Sequence, residues 1–265
     1  MVRAAERTRR PARTSVWLEG KAPRGAAGAS RGGAPRGNGQ PSGLDRDRII
    51  VATVRLLDAE GLPKFSMRRL AAELDVTAMS LYWYVDTKDD ILEFALDAAF
   101  GELRLPDPES GADWRDQLRE LATGYRGLLV RHPWVSPLAG TFLNIGPHYL
   151  DFLLTVQRVV RRTGLPPDAL GGAISAVFQF VYGFGTIEGH FARRCAAAGM
   201  SQDEYVREAM ARVEGTPALA ELVQESADLV AARSGGTVED GRERDFSFAL
   251  DLLVAGIEAK VPGRA

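Results

Sequence analysis

The sequence predicts an all-α protein with two helical domains. Apolar residues recur at three- and four-residue steps through most of the chain, nothing in the C-terminal part resembles a strand, and Gly and Pro fill the gaps between the periodic runs. With 265 residues, 45% of them hydrophobic, the chain can bury a sizeable core. Pro106 and Pro108 interrupt the pattern. We therefore expect an N-terminal domain over 44–104 and a larger C-terminal domain over 105–265.

Residues 1–43 form a basic segment ahead of these domains. They carry nine basic and two acidic residues, a net charge of +7, on a chain whose total is −2. The segment is rich in Arg, Gly, Ala and Pro and cannot bury enough apolar surface to offset its ordering entropy, so we expect it to be disordered. Two interpretations stay open: an arm that follows DNA phosphates or enters a minor groove, or an extension without function.

The N-terminal domain is predicted to be a three-helix helix-turn-helix domain, followed by a fourth helix before the boundary. The first has apolar positions at Ile49, Ala52 and Leu56 and ends at Gly61. The second is a short helix over 67–74, which Ser66 can cap. A turn at 75–77 leads to the third, over 78–85, and the fourth begins at Lys88.

The second and third helices have the spacing of a helix-turn-helix, in which two helices cross through a tight turn. Leu81 and Val85 must face inward with Val76 of the turn, which leaves Ala78, Met79, Ser80, Tyr82 and Tyr84 mainly outward and Trp83 near the border of this face. Small residues at the start of the third helix would let its backbone approach DNA. Methyl, hydroxyl and aromatic groups could then contact bases or phosphates in a major groove.

Six further helices are predicted downstream, and Gly or Pro occupies the gaps between them. They cover residues 114–132, 147–162, 168–194, 201–213, 217–233 and 244–261. These helices would form the larger domain.

The stretch SMRRLAAELDVTAMSLYWYVDTK, residues 66–88, resembles the N-terminal domain of TetR-family transcriptional regulators, and the likeness extends over 44–92. It is particularly similar to the tetracycline repressor branch. The resemblance implies that Arg68 reaches a base edge, which suits its two-bond grip on guanine. It further implies that bases or phosphates are contacted by Ala78, Met79, Ser80, Tyr82, Tyr84 and Lys88. Ala78 and Met79 differ from that branch, which leaves the operator sequence open.

The C-terminal part is more weakly similar to the same branch. The resemblance implies a homodimer with a four-helix interface formed by 168–194 and 246–260, and hence a pseudo-palindromic DNA operator. We expect Leu250, Leu253, Val254 and Ile257 in this interface, with close approach at Gly171, Gly172, Gly183 and Gly185. The alternative is that these apolar faces fill the core of a single chain.

The resemblance also implies a pocket for a small-molecule inducer in this domain. The candidate lining is Trp134, Leu138, Phe142, Phe178, Tyr182, Glu188 and His190, which suits a lipophilic or aromatic ligand. Tetracycline repressors hold a magnesium–drug chelate with a histidine and a second-shell glutamate. Glu188 matches that glutamate, but Leu138 stands where the histidine is expected. We therefore expect no metal and no cofactor.

Other classes of function find little support in the sequence. There is no phosphate-binding glycine loop, no GxSxG, no HExxH and no cysteine cluster, so an enzyme is not expected. The single Cys195 fits a reducing interior, and no span is a persuasive membrane helix, so we expect a cytoplasmic protein. The preferred hypothesis is a ligand-responsive repressor. The alternative is an architectural DNA-binding protein, without sequence preference, that depends on the basic arm.

Overall fold

The computed structural model describes residues 14–18, 44–216 and 236–262. Within these ranges the chain forms ten α-helices, one 3-10 turn at Leu62–Lys64 and no β-strand. The helix predicted over 217–233 lies outside the described residues. The helices are α1 (Arg46–Glu60), α2 (Met67–Glu73), α3 (Ala78–Leu81), α4 (Lys88–Phe100), α5 (Trp114–Arg131), α6 (Val135–Ala139), α7 (Pro147–Arg161), α8 (Pro167–Ala197), α9 (Gln202–Glu214) and α10 (Val238–Ala259).

The described residues fall into two compact units. The first contains residues up to Ala98 together with Pro137–Leu150, and the second contains Ala99–Ser136 and everything after Leu150. This partition differs from the predicted contiguous division at 104/105 because residues 137–150 cluster with the N-terminal unit. The short helix α6 was not predicted either, since five residues are too few to show a helical period.

The first unit is held together by the apolar faces that the sequence pattern predicts. Ile49 and Leu57 of α1, Leu70 of α2, and Leu81 and Val85 of the third predicted helix are at most 3% exposed. Side-chain caps define where its helices begin. The hydroxyl of Ser66 accepts from the backbone N–H of Arg69, and that of Thr77 accepts from the N–H of Ser80. Such caps satisfy donors that a helix start leaves free.

Five residues of the basic segment, Thr14–Leu18, also belong to the first unit. Ser15 and Val16 are buried, and the ring of Trp17 meets the ring of Phe94 edge-on at 5.1 Å. The expectation of disorder is therefore wrong for these residues, because Val16 and Trp17 find apolar surface on α4. The rest of 1–43 lies outside the described residues.

The second unit is built on the packing of α8 against α5. An added Cβ at Gly185 would lie 3.1 Å from the Leu129 side chain, and one at Gly189 would lie 2.6 Å from the Leu129 carbonyl oxygen. These glycines allow the backbones of the two helices to approach. Gly185 was predicted to serve a contact between subunits, and the structure instead gives it this contact within the chain.

The two long helices, α8 and α10, also present apolar side chains that are exposed among the described residues. Ile187 of α8 is 72% exposed and Phe248 of α10 is 67% exposed, and Leu252 of α10 is exposed as well. By contrast, the predicted interface residues Leu250, Val254 and Ile257 are buried within the chain, so the uncovered face of α10 is the opposite one. Among the described helices, α8 is the one that by length and composition could cross a membrane.

Candidate DNA-binding and ligand-binding sites

The helix-turn-helix is present, but its third helix is shorter than predicted. Helix α3 ends at Leu81, and residues Tyr82–Tyr84 continue as a turn. The cause is a change of hydrogen-bond register, because the N–H groups of Tyr82 and Tyr84 bond to carbonyls three residues earlier, those of Met79 and Leu81. Asp75 in the preceding turn adopts a left-handed backbone with φ of 54°, which few residues other than Gly tolerate.

The surface of this segment carries large side chains with no apolar cover. Met79 is 71% exposed, Tyr82 is exposed, and Trp83 is 74% exposed. Ala78 and Ser80 are half-buried beside them. Trp83 was predicted only to border this face. The cause is the tightened turn after Leu81, which a helical projection of the sequence does not include.

Tyr84 is the exception to the predicted outward face. It is half-buried, and its hydroxyl donates to the Leu44 carbonyl at 2.6 Å. Its own carbonyl accepts from the Arg46 guanidinium at 3.2 Å. The guanidinium also lies over the ring of Phe94, 5.1 Å from its centroid. Tyr84 thus fixes the end of the segment against α1 and α4, and the expectation that its hydroxyl faces DNA is corrected.

Two adjacent arginines at the start of α2 have different environments. Arg68 is exposed and forms no ion pair with any described residue. Arg69 pairs with Glu60 and Glu73, and the hydrogen bond to Glu60 contributes most to raising the pKa of its guanidinium. Arg68 is therefore the one available to a base edge or a phosphate. Lys88 is exposed, and its ammonium donates to the Phe65 carbonyl at 3.0 Å, which leaves two of its three donors for a phosphate.

In the second unit, Phe178 belongs to a cluster of four aromatic rings. It lies 6.2 Å from Tyr125 and 5.6 Å from Phe152 between ring centroids, and Phe100 contacts both of those rings. Phe178 is only half-buried. We call these four packed rings the aromatic wall, and a lipophilic or aromatic ligand beside them stays a prediction.

Polar groups follow one stripe of α8 beside this wall. The Tyr182 hydroxyl donates to the Ser136 carbonyl at 2.9 Å, and His190 Nε2 lies 3.4 Å from the Ser136 hydroxyl. Thr186 stands between them on the same face, and its buried hydroxyl has no hydrogen-bond partner among the described residues. The sequence analysis missed Thr186, although its spacing of four from both Tyr182 and His190 was the available signal.

Glu188 serves a buried ion pair. Its two carboxylate oxygens accept from Arg126 at 2.7 and 3.0 Å, and Arg126 also pairs with Glu243. The guanidinium lies over the rings of Phe184 and Phe246 at 5.2 and 4.5 Å. Burial lowers the pKa of Arg126, but its hydrogen bonds to the two glutamates raise it by more. Glu188 therefore has a structural role in this unit, and its ligand role stays a prediction.

The remaining predicted ligand residues are placed as follows. Trp134 is buried beside the His132 ring, with centroids 5.6 Å apart. Leu138 is buried and Phe142 is half-buried, and both belong to the part of the first unit formed by 137–150. Within the described ranges, no three His, Cys, Asp or Glu side chains come together as a metal-binding group.

Two family models match the chain and together span both units. Residues 49–95 match the bacterial regulatory proteins of the tetR family, and residues 105–261 match the tetracyclin repressor-like C-terminal domain. The second match alone covers more than half of the chain. These matches agree with the all-α fold and with the helix-turn-helix seen in the first unit.

Relatives that are named as transcriptional regulators align with different shares of the chain. An HTH-type transcriptional regulator of Saccharopolyspora erythraea is 43% identical over 140 residues, which is 53% of this chain and 59% of that protein. This chain thus matches less than two thirds of that relative's length. The HTH-type transcriptional repressor DrrR1 of Streptomyces coeruleorubidus is 30% identical over 250 residues, covering 94% of this chain and 85% of the repressor.

Solved structures resemble the chain over most of its length. The Streptomyces coelicolor TetR-family protein ActR in complex with (S)-DNPA is 26% identical, covers 83% of this chain and 99% of its own, and superposes with a TM-score of 0.61. ActR in complex with actinorhodin superposes with a TM-score of 0.66 at 24% identity, which shows the shared fold. With two matched domains and a repressor aligned along nearly the whole chain, this protein belongs to the TetR family of transcriptional regulators.

Proposed function

We propose that this regulator is a ligand-responsive repressor that binds a pseudo-palindromic operator as a homodimer. The observation that carries the proposal is the exposed surface formed by Arg68, Met79, Tyr82 and Trp83 on a capped helix-turn-helix. An unpaired guanidinium can grip guanine through two bonds, and methyl and aromatic groups can contact thymine methyls. Lys88 at the start of α4 supports this surface as a phosphate contact.

The uncovered apolar faces of α8 and α10 support the homodimer. Ile187, Phe248 and Leu252 are large apolar side chains that water would otherwise surround. An added Cβ at Gly171, Gly172 or Gly183 would meet nothing within 4 Å, so the backbone of α8 is open to close approach by a second chain. A two-fold dimer would present two reading surfaces about one helical turn of DNA apart, which calls for a pseudo-palindromic site.

The aromatic wall and the polar stripe of α8 support an inducer of lipophilic or aromatic character. The wall supplies apolar contact, while Tyr182, Thr186 and His190 supply a few polar groups that can orient a ligand. The ActR complexes with (S)-DNPA and with actinorhodin support a small-molecule ligand by family likeness.

Release from DNA requires the inducer to favour the form that does not bind the operator. Coupling of the usual size, about 1–3 kcal/mol, changes operator affinity by roughly 5- to 150-fold. A bound regulator can repress by blocking a promoter sterically, without any further component, and DrrR1 is named as a repressor. We therefore propose that this protein represses transcription. Because a transcriptional regulator must reach the DNA, we propose that this protein is cytoplasmic.

The experiment that tests this function is a genome-wide map of bound DNA with footprints narrow enough to show the site. The expected result is a shared pseudo-palindrome in one or a few promoters, protected in vitro by the purified chain. Lipophilic products of the neighbouring genes should then reduce the protection. Diffuse binding without a shared site would contradict the proposal and favour the architectural alternative.

A further inference from the structure

A short piece of the basic segment, Thr14–Leu18, is held on the first unit, and we call these five residues the anchor. The Ser15 hydroxyl donates to one carboxylate oxygen of Glu93, and the backbone N–H of Val16 donates to the other at 3.4 Å. Val16 is buried, and Trp17 packs edge-on against Phe94. Hydrogen bonds and apolar burial thus act together on five residues.

The surface that receives the anchor comes from two parts of the unit. Glu93 and Phe94 lie on α4, and Trp17 also lines a small recess with Leu143 and Tyr149 of residues 137–150. Burial raises the pKa of the Glu93 carboxyl, and the hydrogen bonds from Ser15 and Val16 only partly offset this rise. A buried carboxylate is costly without donors, so the anchor and its site are matched in polarity as well as in shape.

Three contacts connect the anchor to Tyr84, the residue that follows the exposed Tyr82 and Trp83. Trp17 touches Phe94, Phe94 lies under the Arg46 guanidinium at 5.1 Å, and Arg46 donates to the carbonyl of Tyr84. Along α4, Phe94 is six residues from Lys88, which corresponds to about 9 Å of helix axis. The anchor therefore lies close to the residues proposed to contact DNA.

Immediately before the anchor, residues 1–13 carry five arginines and one glutamate, a net charge of +4; we call them the basic tail. Thirteen residues can span at most about 45 Å when extended, more than one turn of DNA. The DNA-facing domain needs such charge, because residues 44–92 carry seven basic and nine acidic side chains. Phosphate contacts supply most of the salt-dependent affinity for DNA.

We propose that the anchor fixes the start of the basic tail beside the reading surface, so that the tail binds DNA phosphates flanking the operator half-sites. This inference rests on the proposed operator binding and adds a second DNA contact with its own attachment point. Without the anchor, the tail would be joined to the domain only through residues 14–43, and a random coil of thirty residues spans roughly 30 Å root-mean-square. Its effective concentration at the flanks would then fall.

The test compares two duplexes, one limited to the mapped operator and one with about ten further base pairs on each side. Four forms of the full-length dimer are measured against the parent chain. They are a deletion of residues 1–13, a variant with the five tail arginines changed to Gln, Trp17→Ala, and Leu18→Ala. Leu18 is 62% exposed and serves as the matched control, because the hydrogen bonds to Glu93 and the ring contact with Phe94 that hold the anchor come from Ser15, Val16 and Trp17.

On the flanked duplex, the parent chain should show a steeper fall of affinity with salt than the tail deletion, by about 0.9 in log–log slope per phosphate contact. Three contacts per tail would add roughly 5 to the slope for a dimer. The five-Gln variant should match the deletion. Trp17→Ala should bind the flanked duplex several-fold more weakly than Leu18→Ala does, while both bind the short duplex like the parent chain.

Equal salt slopes for the parent chain and the tail deletion would overturn the proposal while leaving operator binding intact. Equal affinities of Trp17→Ala and Leu18→Ala on the flanked duplex would show that the anchor does not place the tail. The deletion of residues 1–13 keeps the anchor, so its result stands even if Trp17→Ala reduces the amount of folded protein. Failure of every form, including the parent, to bind the short operator would instead refute the proposed function.

Discussion

Replacing Glu188 with Ala separates a structural role for this carboxylate from the ligand role predicted for it. Glu188 and Arg126 have side chains that are 9% and 8% exposed, and they form two hydrogen bonds to each other. Removing one partner of a buried pair leaves the other charge uncompensated, at a cost of about 3–5 kcal/mol. In the variant, Arg126 would keep its ion pair with Glu243. Because the Glu243 side chain is 60% exposed, this pair would draw the guanidinium toward the solvent.

Thermal unfolding at one fixed protein concentration measures this cost, since the proposed dimerisation would make the midpoint depend on concentration. For a domain of this size each kcal/mol shifts the midpoint by roughly 2–4 °C, so Glu188→Ala should lower it by about 6–20 °C. Glu243→Ala removes the exposed partner of the same guanidinium and should cost no more than about 1 kcal/mol. The reasoning fails if both variants melt together while Glu188→Ala alone loses inducer binding.

Three further substitutions have matched expectations. Arg68→Ala should weaken operator binding by about 1–3 kcal/mol and leave the melting temperature unchanged. Arg69→Ala loses ion pairs with Glu60 and Glu73, so it should change the melting temperature more than the operator affinity. Equal losses of operator affinity in titrations of the two variants would contradict this. Gly189→Ala should lower the free energy of unfolding by about 1–3 kcal/mol, because the added Cβ would lie 2.6 Å from the Leu129 carbonyl oxygen. Gly183→Ala in the same helix should not lower the stability of the subunit. Urea unfolding measures both. Because the folded pKa of Glu93 is raised above the ordinary value of 4.5, the stability that its protonated form contributes is lost as pH rises through that folded pKa. Glu93→Gln should flatten this loss on the alkaline side of pH 4.5, and an unchanged pH profile would refute it.

The N-terminal unit was largely predictable because its information is local. The cap at Ser66 and the inward positions of Leu81 and Val85 follow from residue type and spacing and are confirmed. The course of the chain after Leu81 was not predictable in the same way. Its three-residue hydrogen bonds depend on how Tyr84 bonds to Leu44, just before α1, a contact between residues 40 positions apart.

The larger unit shows where periodicity stops being informative. On α10 two apolar faces alternate, and a helical pattern does not say whether Leu250 or Phe248 points into its own chain. The pairing of Glu188 with Arg126, 62 residues away, is likewise set by the packing of α5 on α8. The anchor was missed for a different reason: composition described the basic segment as a whole and gave no weight to three adjacent apolar residues within it, Val16–Leu18.

Native mass spectrometry of the purified chain with its mapped site tests the central claim most directly, because it counts chains on DNA. A ligand-responsive dimeric repressor predicts two chains on a duplex with one pseudo-palindrome, and loss of both together when inducer is added. Single chains that load onto any duplex in proportion to its length would contradict the account.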